Sequence, residues 1–378
     1  MTAEALWLAA PAAVMWIGNL LAPWRPWSTR ERIECDPAAA RDVDLSGITV
    51  LIPARNEAEV IGTTLAGLQA QGQGLRVVVV DDQSADDTAG IAVSFSNVRI
   101  IPGKPLPAGW AGKLWALEQG KAEVTTPMTL LLAADIELKP GLLAALLRYK
   151  QSDGRNFVSL MADLRRTSFW DRLLLPAFVY YFKLLYPFAL SNSGFRYVAA
   201  AAGGCVLVDT AALHQAGAFA SLRGALIDDC TLARKVKDAG SRTWVGLSRG
   251  VVSLRPYSSL RSIHDMVARS AFTQLYYSTL LLLLVTVVFA AAYWLPLAAL
   301  FLPDARPLAA AGLGAMMLAY WPTLRYYGMS PLWLVLAPLG ATLYLAMTWS
   351  SAIRYWRGVR SRWKDRVYAT THSEAPER

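Results

Sequence analysis

Four consecutive β-branched residues, Val77 to Val80, stand between Arg76 and the adjacent carboxylates Asp81 and Asp82. No other stretch restricts the fold as much. A run of valines without polar alternation predicts a strand covered on both faces, as in the parallel sheet of an α/β protein. Ser84, Asp86, Asp87 and Thr88 follow at once and supply turn and helix-cap chemistry. In open α/β sheets, ligands bind at the carboxyl ends of strands. Two carboxylates therefore fall where a ligand is expected, in a turn without glycine.

The flanking sequence repeats this arrangement. Gly47-Ile48-Thr49-Val50-Leu51-Ile52-Pro53 reads as a strand ended by proline, Ala54-Arg55-Asn56-Glu57 as a turn, and residues 59–71 as a helix. Residues 98–101 form a third short strand. Alternating strands and helices predict a parallel sheet with right-handed crossovers. Further on, residues 128–132 read as a buried strand ending at Ala133-Ala134-Asp135-Ile136-Glu137, so carboxylates again stand at a strand end. Residues 157–161 and 243–247 are further strands, residues 199–208 a small-residue loop leading into one, and Asp228-Asp229 open a helix.

The composition requires a second environment. The 378 residues are 54% hydrophobic and only 17% charged, with a formal net charge of +9. Soluble domains carry about 25% charged residues. Residues 5–24 hold no charge and match the length of about 20 residues that spans a bilayer. Arg25, Arg30 and Arg32 follow the apolar run rather than precede it. That order predicts an uncleaved anchor with cytoplasmic continuation, not a cleaved leader. Residues 25–46 read as a linker.

Residues 169–190 are apolar and aromatic but include Asp171, Arg172, Lys183, Pro176 and Pro187, which predicts an interfacial helix, with a plain core helix as the alternative. Residues 276–302, 307–321 and 331–349 are apolar, within a membrane region expected over 271–350. The tail, 351–378, is basic. Three crossings after a cytoplasmic domain would leave that tail outside, against the preference of basic segments for the cytoplasmic side. Either one stretch is re-entrant or interfacial, with residues 307–321, the shortest and most Gly/Ala-rich, the first candidate, or the charge rule fails here.

Cys35, Cys205 and Cys230, like His214, His264 and His372, are scattered. They exclude a disulfide framework, a zinc pattern and a Ser-His-Asp triad as organising features. The basic residues lie beside apolar segments, which points to lipid headgroups, and no nucleic-acid motif is present. A dinucleotide-dependent oxidoreductase would need Gly-x-Gly-x-x-Gly after the first strand, where Pro53-Ala54-Arg55-Asn56-Glu57 stands instead.

Five segments, in this order on strand ends, resemble family 2 glycosyltransferases with the GT-A nucleotide-diphospho-sugar transferase fold, over most of residues 47–270. They are Pro53-Ala54-Arg55-Asn56-Glu57, Val80-Asp81-Asp82-Gln83-Ser84, Gly112-Lys113, Asp135 with Pro140, and Asp228-Asp229 with Leu232. The stretches PLPAGWAGKLWALEQG, AAAGGCVLV, RGALIDDCTLARKVK, RPYSSL and PTLRYYGMSPLW are similar to the subfamily associated with hopanoid biosynthesis. The resemblance implies a Rossmann-like mixed, mostly parallel sheet with N-terminal and C-terminal transmembrane helices, in the cytoplasmic membrane. It also implies a UDP-sugar or other nucleotide-sugar donor, a lipid acceptor, and Mg²⁺ or Mn²⁺.

Carried over by position, Glu57, Asp81 and Asp82 are nucleotide contacts; the alternative is that one of the adjacent pair, Asp81 before Asp82, is only a helix cap. Asp135 is the metal ligand, as the last carboxylate of an Asp-x-Asp motif. Ala133 stands at the motif's first position; Glu137, on the other side of Asp135, would either compensate or simply face solvent. Lys113 would meet a phosphate or sit solvated on the surface. Asp229 would be the general base and Asp228 would orient substrate; as a plain pair they would complement a helix dipole. Arg269, in Met266-Val267-Ala268-Arg269-Ser270, is what remains of a Gln-x-x-Arg-Trp motif and would meet a diphosphate or a membrane interface. Three functional classes follow: a transferase acting on lipid, a catalytically silent nucleotide-sugar-binding relative or scaffold, and a polysaccharide synthase. The synthase is disfavoured by the broken motif and the few helices.

Overall fold

The computed structural model describes residues 3–40, 43–225, 227–363 and 366–369; side chains of residues 3–6, 39–40 and from 359 onward are outside that description. Of the basic tail expected over 351–378, residues 364–365 and 370–378 fall outside the described residues. The chain divides into two compact units. One is a sheet unit of Arg30–Arg165 and Phe188–Pro256, and the other a helical unit of Met1–Thr29, Arg166–Pro187 and Tyr257–Arg378.

The sheet unit is built on eight strands: β1 (Ile48–Ala54), β2 (Arg76–Asp81), β3 (Val98–Pro102), β4 (Met128–Leu132), β5 (Ile136–Leu138), β6 (Phe157–Asp163), β7 (Cys205–Asp209) and β8 (Thr243–Ser253). Their order is β3-β2-β1-β4-β7-β6-β8-β5. β7 and β5 run against all the others, so the sheet is mixed but mostly parallel. The valine run behaves as its pattern predicts. Val77 and Val79 face one core cluster with Ile48, Val50, Ile52 and Leu130, and Val78 and Val80 face a second cluster with Leu51 and Leu131. Each buried valine contributes about 1.5–3 kcal/mol of gross hydrophobic stabilisation. One of the covering helices, Ile61–Gln69, presents Ile61, Leu65 and Leu68 to the sheet, the spacing of one helical face.

Two expectations change. β5, only three residues long, is too short to show a period in the sequence and forms because it pairs antiparallel with the end of β8. The segment expected as a linker is bound to the sheet instead. Leu45 is fully buried, and Ile33 and Leu247 are joined through Ile33 N to Leu247 O at 3.0 Å. Apolar side chains in an otherwise polar stretch explain this docking.

In the helical unit, helix Ala3–Leu21 packs Ala9, Ala12 and Ala13 inward. Helix Arg306–Tyr326 meets it closely: a β-carbon at Gly312 would stand 3.0 Å from Ala13 N. Small residues on both sides permit this approach. Helix Phe169–Leu185 begins at a Ser168–Asp171 capping box and passes through Pro176. It packs as a core helix, with Leu173, Leu174, Val179 and Tyr180 buried. Lys183 is only 1% exposed and donates to Ser28 O at 2.9 Å and Thr323 Oγ1 at 3.1 Å. Among the described residues, Thr279–Ala299 and Pro331–Trp356 are long and apolar enough to cross a membrane, while Trp7–Leu21 is a shorter apolar helix. Arg306–Tyr326, which contains the first candidate for a stretch that does not cross, is outside that set.

The close approach at Gly312 predicts that Gly312→Leu lowers stability by about 1–3 kcal/mol through overpacking. Gly314→Leu, where nothing lies within 4 Å of an added β-carbon, should leave the thermal midpoint of the detergent-solubilised protein unchanged. Equal midpoints for the two variants would contradict the tight helix contact.

Candidate active site

The carboxyl ends of β1, β2 and β4 form one rim of the sheet. Two loops on that rim are stitched together. Asn56 N donates to Ser84 Oγ at 3.0 Å, Ala85 N to Asn56 Oδ1 at 2.8 Å, Glu57 N to Thr88 Oγ1 at 2.8 Å and Ala58 N to Asp86 Oδ2 at 3.0 Å. Arg55 adds a bond from its guanidinium to Gln83 O at 3.1 Å. Asp81 stays partly exposed, its Oδ1 accepting from Ser84 N at 3.3 Å. Asp82 is fully buried. The surface a ligand can meet is therefore that of Asp81, while the Asp82 backbone N–H donates to Ala54 O at 2.8 Å and its carbonyl accepts from Arg55.

Asp135 reaches the rim because β5 runs antiparallel to β8. Ile136 pairs with Ser253, so the start of β5 meets the end of β8. Leu254 N donates to Asp135 O at 2.8 Å, and the next residue, Arg255, places Nε 2.9 Å from Asp135 Oδ2. The same guanidinium lies 3.6 Å from Glu57 Oε1. Glu137 does not compensate for Ala133. Its carboxylate is paired with Lys139 at 2.7 Å and its stem lies against the backbone of helix Ile61–Gln69 at Gly67, because β5 directs it to that face. Among the described residues, no group of three or more His, Cys, Asp or Glu side chains is placed to hold a metal ion by itself.

The second antiparallel strand supplies the other half of the site. Leu132 at the end of β4 pairs with Cys205 at the start of β7, which brings Gly203 to the rim. Gly203 N donates to Asp229 Oδ2 at 2.8 Å, and Cys230 N donates to Oδ1 at 2.8 Å. Asp228 Oδ2 is 2.7 Å from Lys113 Nζ, at the start of helix Gly112–Gly120. Lys237 pins the far end of helix Asp228–Asp238 by donating to Ser191 O and Val198 O, each at 2.8 Å. A crevice lined by Pro53, Lys113, Leu132, Gly203, Asp228 and Asp229 opens here. Arg269 belongs to the helical unit, as the exposed C-cap of helix Leu260–Ala268.

The sequence profile described as "Glycosyltransferase like family 2" matches residues 46–271, more than half of the chain. The chain belongs to glycosyltransferase family 2. It is similar to a 4,4'-diaponeurosporenoate glycosyltransferase of Staphylococcus aureus strain MRSA252, 32% identical over 108 residues. That match covers 28% of this chain and 29% of the relative, so it spans less than a third of the relative's length. The counterpart in strain USA300 is 33% identical over 89 residues, covering 24% of each chain. Among solved structures, the mannosyltransferase PcManGT of Pyrobaculum calidifontis, in complex with GDP-Man and Mn²⁺, aligns with a TM-score of 0.55 at 20% identity. The alignment covers 93% of this chain and 99% of that one, and shows a common fold.

In this family 2 glycosyltransferase, opposing influences act on Asp229. Burial and the neighbouring Asp228 charge raise its pKa, while Lys113 and the two backbone N–H groups lower it. Hydrogen bonds to charged groups are worth about 1.5–3 kcal/mol each, yet the net displacement is upward from the ordinary carboxylate value. Desolvation and the like charge therefore outweigh the donors. A carboxylate with a raised pKa is a stronger proton acceptor once ionised.

Gly203 and Arg255 were not singled out as functional residues in the sequence. Each lay within a recognisable stretch, AAAGGCVLV and RPYSSL. The available signal was position: Arg255 is a charged residue just beyond the carboxyl end of the last strand.

Two predictions follow from this geometry. Removing the Lys113 charge removes an influence that lowers the Asp229 pKa. Lys113→Met should therefore move the acid limb of the pH–rate profile to higher pH, and Lys113→Arg should leave it nearer its original place; an unmoved limb in Lys113→Met would contradict the coupling. At Gly203 an added β-carbon would stand 3.2 Å from both Asp229 Oδ2 and Lys113 Nζ. Gly203→Ala should lower kcat by about tenfold through misplacement of the carboxylate, with donor KM little changed.

Proposed function

We propose that this family 2 glycosyltransferase is a membrane-bound inverting enzyme that moves a sugar from a nucleotide-sugar donor to a lipid hydroxyl, with a hopanoid-type acceptor. The observation that carries the reading is the Asp229 carboxylate, held by two backbone N–H groups beside the Lys113–Asp228 pair at the carboxyl ends of the strands. Asp229 takes the proton of the acceptor hydroxyl as that oxygen attacks the anomeric carbon. The bond from that carbon to the nucleoside diphosphate breaks, and the diphosphate leaves with the electron pair. Asp228, bound to Lys113, orients the reacting groups. Glu57 and Asp81 accept hydrogen bonds from the nucleotide, and Asp82 holds the turn that presents Asp81. Arg269 is kept as a candidate contact for a diphosphate.

Asp135 offers oxygen donors already in contact with a cationic group, the Arg255 guanidinium. That donor chemistry fits Mg²⁺ or Mn²⁺ bound through one carboxylate together with substrate phosphates, a common arrangement for Mg²⁺. When bound, the ion supplies positive charge for the departing diphosphate. The PcManGT complex with GDP-Man and Mn²⁺ supports both a nucleotide-sugar donor and divalent metal use.

Three observations support the lipid side of the reading. Leu280, Leu284 and Val287 stand exposed along helix Thr279–Ala299, an apolar ridge suited to acyl chains. Helix Pro331–Trp356 exposes Leu332, Val335 and Leu339. The S. aureus relative is named for 4,4'-diaponeurosporenoate. With Arg25, Arg30 and Arg32 marking a cytoplasmic side, the sheet unit would face the cytoplasm. Ala133 favours a second reading, a silent relative that binds donor without turnover.

Comparing lipids by mass spectrometry tests the reading. Cells carrying the wild-type protein should hold a lipid heavier by one sugar that cells carrying Asp229→Asn lack. Membrane fractions should turn over one of a panel of labelled nucleotide sugars, and Asp229→Asn should reduce this by about 10²-fold or more. No turnover with donor binding retained would favour the silent relative. Neither turnover nor a lipid difference would sink the transferase reading.

A further inference from the structure

The family reading assigns no role to Arg255, yet its guanidinium meets two sheltered carboxylates of the rim. Its side chain is 39% exposed and serves two carboxylates that are nearly withdrawn from water, Asp135 at 16% and Glu57 at 12%. Nε lies 2.9 Å from Asp135 Oδ2, and a terminal nitrogen lies 3.6 Å from Glu57 Oε1. Two like charges this sheltered are stabilised by a countercharge beside them. In this structure the guanidinium supplies it, on the carboxylate that would hold a metal. A guanidinium also has the donor geometry to bind phosphate oxygens in pairs, and it cannot lose its charge.

We propose that Arg255 is a donor-binding residue that exchanges partners. It pairs with Asp135 in the arrangement seen here, and it yields Asp135 to a divalent cation when it turns to the donor's diphosphate. The inference rests on the reading of the rim as a nucleotide-sugar site. It follows that metal and nucleotide bind interdependently. Alone, the cation must displace a bonded guanidinium from Asp135. With a diphosphate present, the guanidinium has a new anionic partner and the displacement is compensated. Ala133 fits this arrangement, because a single carboxylate can be held closed by a single arginine.

The test uses the full-length protein in detergent, with Mn²⁺ binding read by the loss of the free-ion EPR signal and nucleotide binding by calorimetry with UDP and GDP. For the wild-type protein, Mn²⁺ should bind weakly alone and at least about tenfold more tightly with the favoured nucleotide, about 1.4 kcal/mol of coupling. Arg255→Gln should bind Mn²⁺ about tenfold more tightly in the absence of nucleotide. It should bind the nucleotide about tenfold more weakly at saturating Mn²⁺, so that the coupling is lost. Arg255→Lys, which keeps the charge without the paired geometry, should fall between. A variant that loses affinity for both ligands while its thermal midpoint falls would show Arg255 to be a structural brace and overturn the proposal. Wild-type binding with no change in Arg255→Gln would overturn it as well. A wild-type protein that binds neither UDP nor GDP at any Mn²⁺ concentration would overturn the nucleotide-site reading itself, and this proposal with it.

Discussion

The antiparallel pairing of β7 with β4 is the constraint on which the rest of the site depends. Strands running with β4 bring only their carboxyl ends to the ligand-binding rim. A reversed neighbour brings its amino end to the same place. Because Leu132 pairs with Cys205, the residues just before β7 lie at the rim, and Gly203 turns its N–H toward Asp229. β5 does the same at the far edge, where its pairing with β8 sets Asp135 beside Arg255. Two reversed strands in a mostly parallel sheet thus collect, at one edge, side chains that stand far apart in the chain.

Gathering carboxylates at one rim raises an electrostatic problem, since like charges in partly desolvated positions repel and resist ionisation. The structure answers it with one cation for each of two carboxylate pairs. Lys113 pairs with Asp228 beside Asp229, and Arg255 serves Asp135 and Glu57. The arriving ligand in the proposed reaction carries further negative charge, so these cations must be both close and able to change partners. Lys113 and Arg255 are each partly exposed, which leaves them room to do so.

The helical unit rests on different physics. Where helix Ala3–Leu21 meets Arg306–Tyr326, alanines and Gly312 let backbones approach, and dispersion between close surfaces replaces large interdigitating side chains. Apolar residues such as Leu280 and Leu284 stand exposed on this unit. At the unit's centre, the buried ammonium of Lys183 is held by Ser28 and Thr323 and ties three segments together.

The sequence by itself determined the parallel half of the sheet. The doubly buried strand Val77–Val80, its carboxylate terminus and the neighbouring strand–helix alternation are local patterns with a local period. They were legible because burial on two faces leaves a continuous apolar run. Asp135, Asp228 and Asp229 were legible for a similar reason, as charges directly adjoining apolar elements, and the five ordered motifs pointed to the family. The direction of β7 and the existence of β5 were decided only by the tertiary structure. So were the burial of Asp82, the diversion of Glu137 to Lys139, and the attachment of Ile33 and Leu45 to the sheet unit. Strand direction is set by which partner supplies hydrogen bonds, and that partner lies far away in the chain. A carboxylate's role is set by the cation that reaches it, and no sequence spacing brings Arg255 to Asp135 or Lys113 to Asp228.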